Sequence, residues 1–142
     1  MNNYFIILAA GKGSRFRSKI PKQYIYYNGK PLLQHSIDKA IKSKLFKKIL
    51  IVINKNHKKY LNINKNKKII LLYGGKERQD SSLKALNYLK RKKTSKIFIH
   101  DAARPNFSIK LIKNLKKNLI KHKAVVPYIY NENSTKYIKN KR

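Results

Sequence analysis

Short apolar runs and amphipathic stretches alternate along this chain, and that alternation leaves few folds open. Tyr4–Ala9 is a continuous apolar run, the pattern of a strand buried on both faces. Ile49–Ile53, Ile69–Tyr73 and Ile97–His100 repeat it, and Ala124–Tyr128 is expected to form a fifth strand. Helical spacing fills the intervals. After Pro31, which suits a first turn, Leu33, Ile37, Ala40 and Ile41 fall on one helical face. Leu83, Leu86 and Leu89 recur at the same spacing behind Asp80, an available N-cap. Ser108 is placed to cap a helix carrying Ile112, Leu115 and Leu119. His57–Asn66 is polar and reads as a short helix and loop. Strand and helix in alternation, joined by short loops, predict an α/β fold: a parallel sheet with helices on both faces.

At 142 residues the chain suffices for one domain, 1–142, and no repeat, linker or boundary divides it. An apolar content of 42% supports a core. The absence of cysteine excludes disulfides, thiolate metal sites and a cysteine nucleophile. No apolar run is long enough to cross a bilayer, and Tyr4–Ala10 is too short for a secretory signal. A cytoplasmic protein without membrane contact is expected. The formal charge of +31 has two readings. One is phosphate neutralisation on nucleic acid. The other, which is favoured, is codon composition, because lysine is spread along the whole chain beside much Asn, Ile and Tyr. No recognition helix, zinc pattern or RNA-binding sheet motif supports a specific nucleic-acid partner.

In parallel sheets flanked by helices, ligands sit beyond the carboxyl ends of the strands. Three loops of unusual composition fall there: Ala10–Lys22, Gly74–Ser81 and Asp101–Pro105. In the first, Gly11 and Gly13 permit a sharp turn and close approach to backbone amides. Neither a dinucleotide fingerprint nor a Walker-type loop fits. Phe16 stands where the former needs a small residue, and a single residue separates the glycines where the latter needs four. Arg15 and Lys22 add a guanidinium fork and a point charge suited to phosphate. In the third loop, Asp101 is one of five acids in the chain. It suits Mg²⁺, which commonly takes one or two carboxylates plus substrate phosphates; a helix N-cap or an ion pair with Arg104 are the structural alternatives. Arg104 could reach a sugar phosphate or brace Asp101. Gly74 and Gly75 allow a nucleobase to approach or make a tight turn, and Ser81 could contact base or ribose or cap a helix. Arg78 with Asp80 reads equally as a structural pair or as ligand contacts. Glu77 is expected at the surface, His100 as a structural histidine, and Tyr24, Tyr26 and Tyr27 at a core edge. His35, His57 and His122 lack metal-ligand spacing.

AAGKGSR after an apolar strand, followed by PKQY, resembles the signature loop of sugar-phosphate nucleotidyltransferases. GGKERQDS and HDAARP, in the same order and strand context, narrow the resemblance to the 2-C-methyl-D-erythritol 4-phosphate cytidylyltransferase family over about Tyr4 to Pro127. Ribitol-5-phosphate cytidylyltransferases are the nearest rival. The resemblance implies a Rossmann-like three-layer α/β/α nucleotidyltransferase fold with a mostly parallel sheet, its C-terminal part missing. It implies attack of a sugar-alcohol phosphate on the α-phosphorus of CTP, with Mg²⁺ and release of pyrophosphate, in non-mevalonate isoprenoid precursor synthesis.

By the same resemblance Arg15 and Lys22 are the catalytic cations. Ala9, Ala10, Gly11, Gly13, Gly75, Ser81 and Ala102 bind the nucleotide, Asp101 the metal, and Arg104 and Lys136 the sugar phosphate. The chain departs from the family pattern in places. Lys76 stands where the family more often has an acid. Asn133-Ser134-Thr135-Lys136 matches the family's acidic-Thr-x-Lys stretch only loosely. That stretch lies on an arm that crosses to a second subunit, so 129–142 reads as the start of a dimerisation arm, with a homodimer expected of the full-length protein. Family members run well beyond this length, so the chain is expected to be a fragment of a longer enzyme; a shortened, non-catalytic nucleotide-binding relative is the alternative.

Overall fold

The computed structural model of the chain describes residues 2–13 and 18–128. Its centre is β1 (Asn3–Ala9), buried at all seven positions. In chain order there follow the two-residue strands β2 (Tyr26–Tyr27) and β3 (Lys30–Pro31), α1 (Leu32–Lys42), β4 (Lys48–Ile53), β5 (Ile69–Tyr73), α2 (Arg78–Lys90), β6 (Lys96–Asp101) and α3 (Ile109–Asn118). Short 3-10 turns form at Lys22–Tyr24 and Lys55–Tyr60. Four strands make one parallel sheet in the order β5-β4-β1-β6; β2 and β3 pair antiparallel in a separate ribbon. β1 thus has a strand on each side, which explains its unbroken apolar sequence.

Side chains along the strands alternate between two cores. Phe5, Ile7, Ala9, Ile49, Ile51, Ile53 and Phe98 face α1 and α3, meeting Leu33, Ile37, Ala40 and Ile112. Tyr4, Ile6, Leu8, Leu50 and Val52 face α2, meeting Ala85 and Leu89. The expected α/β architecture with helices on both faces is therefore present, and the first four expected strands and all three expected helices form. Ser108 caps α3 as expected, its hydroxyl accepting from the Leu111 amide at 3.0 Å.

Three expectations are corrected. Ala124–Tyr128 is not a strand; it has no ladder partner, Val126 and Tyr128 are exposed, and Pro127 has no amide to donate. On α2 the buried face is Ser81, Ala85 and Leu89, while Leu83 and Leu86 are exposed. Small residues at 81 and 85 let the helix approach the sheet closely, so the packed stripe is not the most apolar one. The N-cap of α2 is Glu77 rather than Asp80. Asp80 occupies the third helical position and closes a reciprocal capping box with Glu77. Among the described residues no helix is long and apolar enough to cross a membrane.

Because the four strands run in one direction, Ala9, Ile53, Tyr73 and Asp101 all end at the same edge. The loops beyond them prolong the ladder: the Gly74 amide donates to Ile53 O at 2.8 Å, and the Ala102 amide to Leu8 O at 3.0 Å.

Candidate active site

At that edge the three loops enclose a cleft of about 640 Å³ with Leu8 at its base, within the size range of small-molecule sites. Ala10–Gly13 and Lys22 form one wall, Gly75–Arg78 and Ser81 a second, and Asp101–Arg104 a third. Five cations line it (Lys12, Lys22, Lys76, Arg78, Arg104) against two carboxylates, Glu77 and Asp101. Such a lining suits a multiply charged anion, since a low-dielectric wall dominated by one sign focuses the potential.

The first wall is set from below. The 3-10 turn after Pro21 sends Lys22 to the cleft and Gln23 into the interior, where it is 5% exposed. Gln23 Nε2 donates to Ala9 O at 2.8 Å and to Gly11 O at 2.9 Å. The Tyr24 hydroxyl donates to Ala9 O at 3.3 Å, and burial pushes its pKa up to about 12. Gly13 has φ +67°, a left-handed conformation that favours glycine.

The second wall is a closed hydrogen-bond circuit. Ser81 Oγ accepts from the Gly75 amide at 3.2 Å and donates to Glu77 O at 3.1 Å. The Glu77 amide donates to Asp80 Oδ2 at 2.9 Å, and Lys84 Nζ reaches Gly74 O at 2.9 Å. The glycines are required by crowding: a Cβ on Gly74 would lie 2.6 Å from Ala10 Cβ, and one on Gly75 would lie 2.2 Å from Asp80 Cβ. The first two walls therefore touch.

The third wall is tied to the second by charge. Asp101 Oδ1 accepts from Arg78 Nε at 3.0 Å and lies 3.0 Å from Nη2, and Oδ2 lies 3.5 Å from Arg104 Nε. Arg78 thus pairs with Asp101, not with its neighbour Asp80. Behind this loop, His100 Nε2 donates to Arg104 O at 2.9 Å and its ring packs on Phe107. Burial holds the His100 pKa below its ordinary value; the bond to Arg104 and the Asp101 charge oppose that, while Arg104 and Lys39 add to it. Its structural role is as expected.

The cleft brings together Ala10, Gly11, Gly13, Lys22, Gly75, Ser81, Asp101, Ala102 and Arg104, all drawn from the sequence motifs. Ala9 is not among its lining residues, and its carbonyl faces Gln23 and Tyr24 instead. Ser81 is 2% exposed and its hydroxyl closes the second loop. Arg15 and Lys136 lie outside the described residues, as does the arm at 129–142. Tyr26 and Tyr27 are exposed, whereas Tyr24 is buried. Sequence reading assigned no role to Gln23, Lys12 or the Arg78–Asp101 pair. The Pro-Lys-Gln motif was the available signal for the first; a pairing across 23 residues leaves none.

Among the described residues no group of three or more His, Asp or Glu side chains could hold a metal. Asp101 is the cleft carboxylate at a strand end. Its two oxygens offer about four acceptor directions, of which the Arg78 Nε hydrogen bond takes one, with Arg78 Nη2 and Arg104 Nε within ion-pair distance. That donor set fits a hard cation held mainly by phosphate oxygens.

The family model described as 2-C-methyl-D-erythritol 4-phosphate cytidylyltransferase matches residues 4–141. The chain is 46% identical over 136 residues to a bifunctional IspD/IspF enzyme of Pelagibacter ubique, covering 96% of this chain and 37% of the relative. It is 36% identical over 145 residues to a 2-C-methyl-D-erythritol 4-phosphate cytidylyltransferase of Thermosipho melanesiensis, covering 98% and 63%. Among solved structures, the 4-diphosphocytidyl-2C-methyl-D-erythritol synthase of Anaerococcus prevotii superposes with TM-score 0.81 at 26% identity, covering 98% of this chain and 60% of that one. The Francisella tularensis cytidylyltransferase gives 0.69 at 38% identity, covering 86% and 54%. The chain thus spans less than two thirds of the length of these relatives.

Proposed function

Since the chain belongs to the 2-C-methyl-D-erythritol 4-phosphate cytidylyltransferase family, we propose that its cleft binds CTP and passes the cytidylyl group to 2-C-methyl-D-erythritol 4-phosphate. A phosphate oxygen of the acceptor attacks the α-phosphorus in line. A new P–O bond forms, the bond from the α-phosphorus to the bridging oxygen breaks, and pyrophosphate leaves. The attacking phosphomonoester is already ionised near neutral pH, so no strong base is needed, and catalysis is positioning and charge neutralisation.

The observation that carries this reading is the crowding of five cations around one cleft at the strand ends. Two polyanions must meet there, and their mutual repulsion is the main electrostatic obstacle. Lys22 and Arg15 are the residues assigned to the charge developing at the α-phosphate. Amides of Gly11–Gly13 receive the triphosphate. Ala10, Gly75 and Ala102 lie against the nucleoside, with Ser81 fixing Gly75. Arg104 is assigned to the acceptor phosphate, together with Lys136. Asp101 would hold Mg²⁺, which, when bound, neutralises phosphate charge. A homodimer of the full-length protein and a cytoplasmic location accompany this reading.

The test is pyrophosphate release with CTP and Mg²⁺ and either methylerythritol phosphate or ribitol phosphate. Turnover with the first acceptor is expected. Turnover confined to ribitol phosphate would reassign the substrate, and CTP binding without turnover in either arm would leave a nucleotide-binding relative. Lys22→Ala is expected to lower kcat by about 10²–10³-fold, the usual cost of one preorganised donor, with its circular dichroism unchanged. Near-parental turnover in that variant would remove Lys22 from the chemistry.

A further inference from the structure

We propose that Gln23 is a positioning residue that sets the polarity of the first loop, turning its carbonyls inward and two of its amides outward to anions. The inference rests on the reading that this loop receives phosphates. Gln23 is buried beneath the loop, and one side-chain nitrogen engages two main-chain oxygens, Ala9 O and Gly11 O. In a planar trans peptide the C=O and the N–H across the same bond point in opposite directions, and no cis peptide occurs here. Fixing the Ala9 carbonyl inward therefore fixes the Ala10 N–H outward. Fixing the Gly11 carbonyl inward does the same for the Lys12 N–H. Ala10 and Lys12 both line the cleft, and Gln23 does not. Without a donor below, these carbonyls would be free to rotate toward the cleft, where oxygen repels phosphate. A single interior carboxamide thus turns a glycine-rich turn of mixed polarity into a row of donors. Tyr24, donating to Ala9 O, reinforces one of the two peptides.

Gln23→Met keeps length and bulk and removes the donor. Binding of inorganic pyrophosphate, CTP and cytidine to the native chain and the variant would be measured by calorimetry, well below each unfolding temperature. The expected result is a loss of about tenfold or more for pyrophosphate and CTP, with cytidine unchanged. A role confined to stability would lower the unfolding temperature and leave these affinities alone, which would overturn the proposal. If Gln23→Met does not fold, amide resonances of the native protein decide. In ¹⁵N-labelled native protein, pyrophosphate is expected to shift the Ala10 and Lys12 amide resonances most. Binding that leaves those two amides unmoved overturns the inference while sparing the phosphate site. Failure of the native chain to bind either pyrophosphate or CTP removes both.

Discussion

Gly75 shows how tightly single residues are specified around the cleft. A Cβ there would lie 2.2 Å from Asp80 Cβ and 3.1 Å from Asp80 Cγ, so Gly75→Ala must push the capping box apart. A destabilisation of about 1–3 kcal/mol is expected, the usual cost of overpacking, read as a lower denaturation midpoint in guanidinium. His100 gives a second residue-scale prediction. Its folded pKa lies below the ordinary 6.5, chiefly through burial. The unfolded chain therefore takes up the proton first as pH falls. The stability that neutral His100 contributes is fully present above pH ~6.5 and is lost as pH drops toward its folded pKa. Thermal melts between pH ~7 and ~5 should show this decline, and His100→Gln, which still donates to Arg104 O, should flatten it. At this scale the sequence was legible where motifs are contiguous: Gly11, Lys22, Gly75 and Asp101 all reach the cleft. The Arg78–Asp101 bond was not, because nothing local signals a partner on another strand end. That Ala9 lies outside the cleft lining was not legible either, because the buried amide that engages its carbonyl carries no periodic signature.

Among the elements, continuous apolar runs proved readable when both ladder neighbours exist, as for β1 and β4. Ala124–Tyr128 has similar composition but nothing to pair with, so propensity alone did not make a strand. α2 was readable as a helix but not in its orientation. Leu83 and Leu86 are the more apolar choice, yet Ala85, fully buried, allows the closer approach. α3 is the opposite case, with its apolar stripe and its cap both evident. Ser108 accepts from the Leu111 amide there, so Ser108→Ala is expected to cost about 1 kcal/mol. Chemical denaturation measures that loss, and Ser108→Asp should recover most of it.

For the molecule as a whole, charge is the dominant constraint. Against 36 cationic side chains stand five acidic ones. The four acids among the described residues are already committed: Asp38 to Lys30, Glu77 and Asp80 to the capping box, Asp101 to two arginines. Cationic side chains therefore far outnumber the carboxylates that could pair with them. Proteins held by surface ion pairs weaken as salt rises, whereas this one should strengthen, because screening relieves self-repulsion. Melting temperature is expected to climb as KCl is raised from ~0.01 to ~0.15 M, where the Debye length shrinks from about 30 to 8 Å. A fall over that range would show that attraction, not repulsion, governs the surface. The sheet order has a separate consequence, for biosynthesis. The strand at its middle is the first to leave the ribosome, and its two neighbours are Lys48–Ile53 and Lys96–Asp101. At ordinary translation speeds this apolar strand must wait on the order of ten seconds for its second flank, an interval in which a chaperone is its natural shelter.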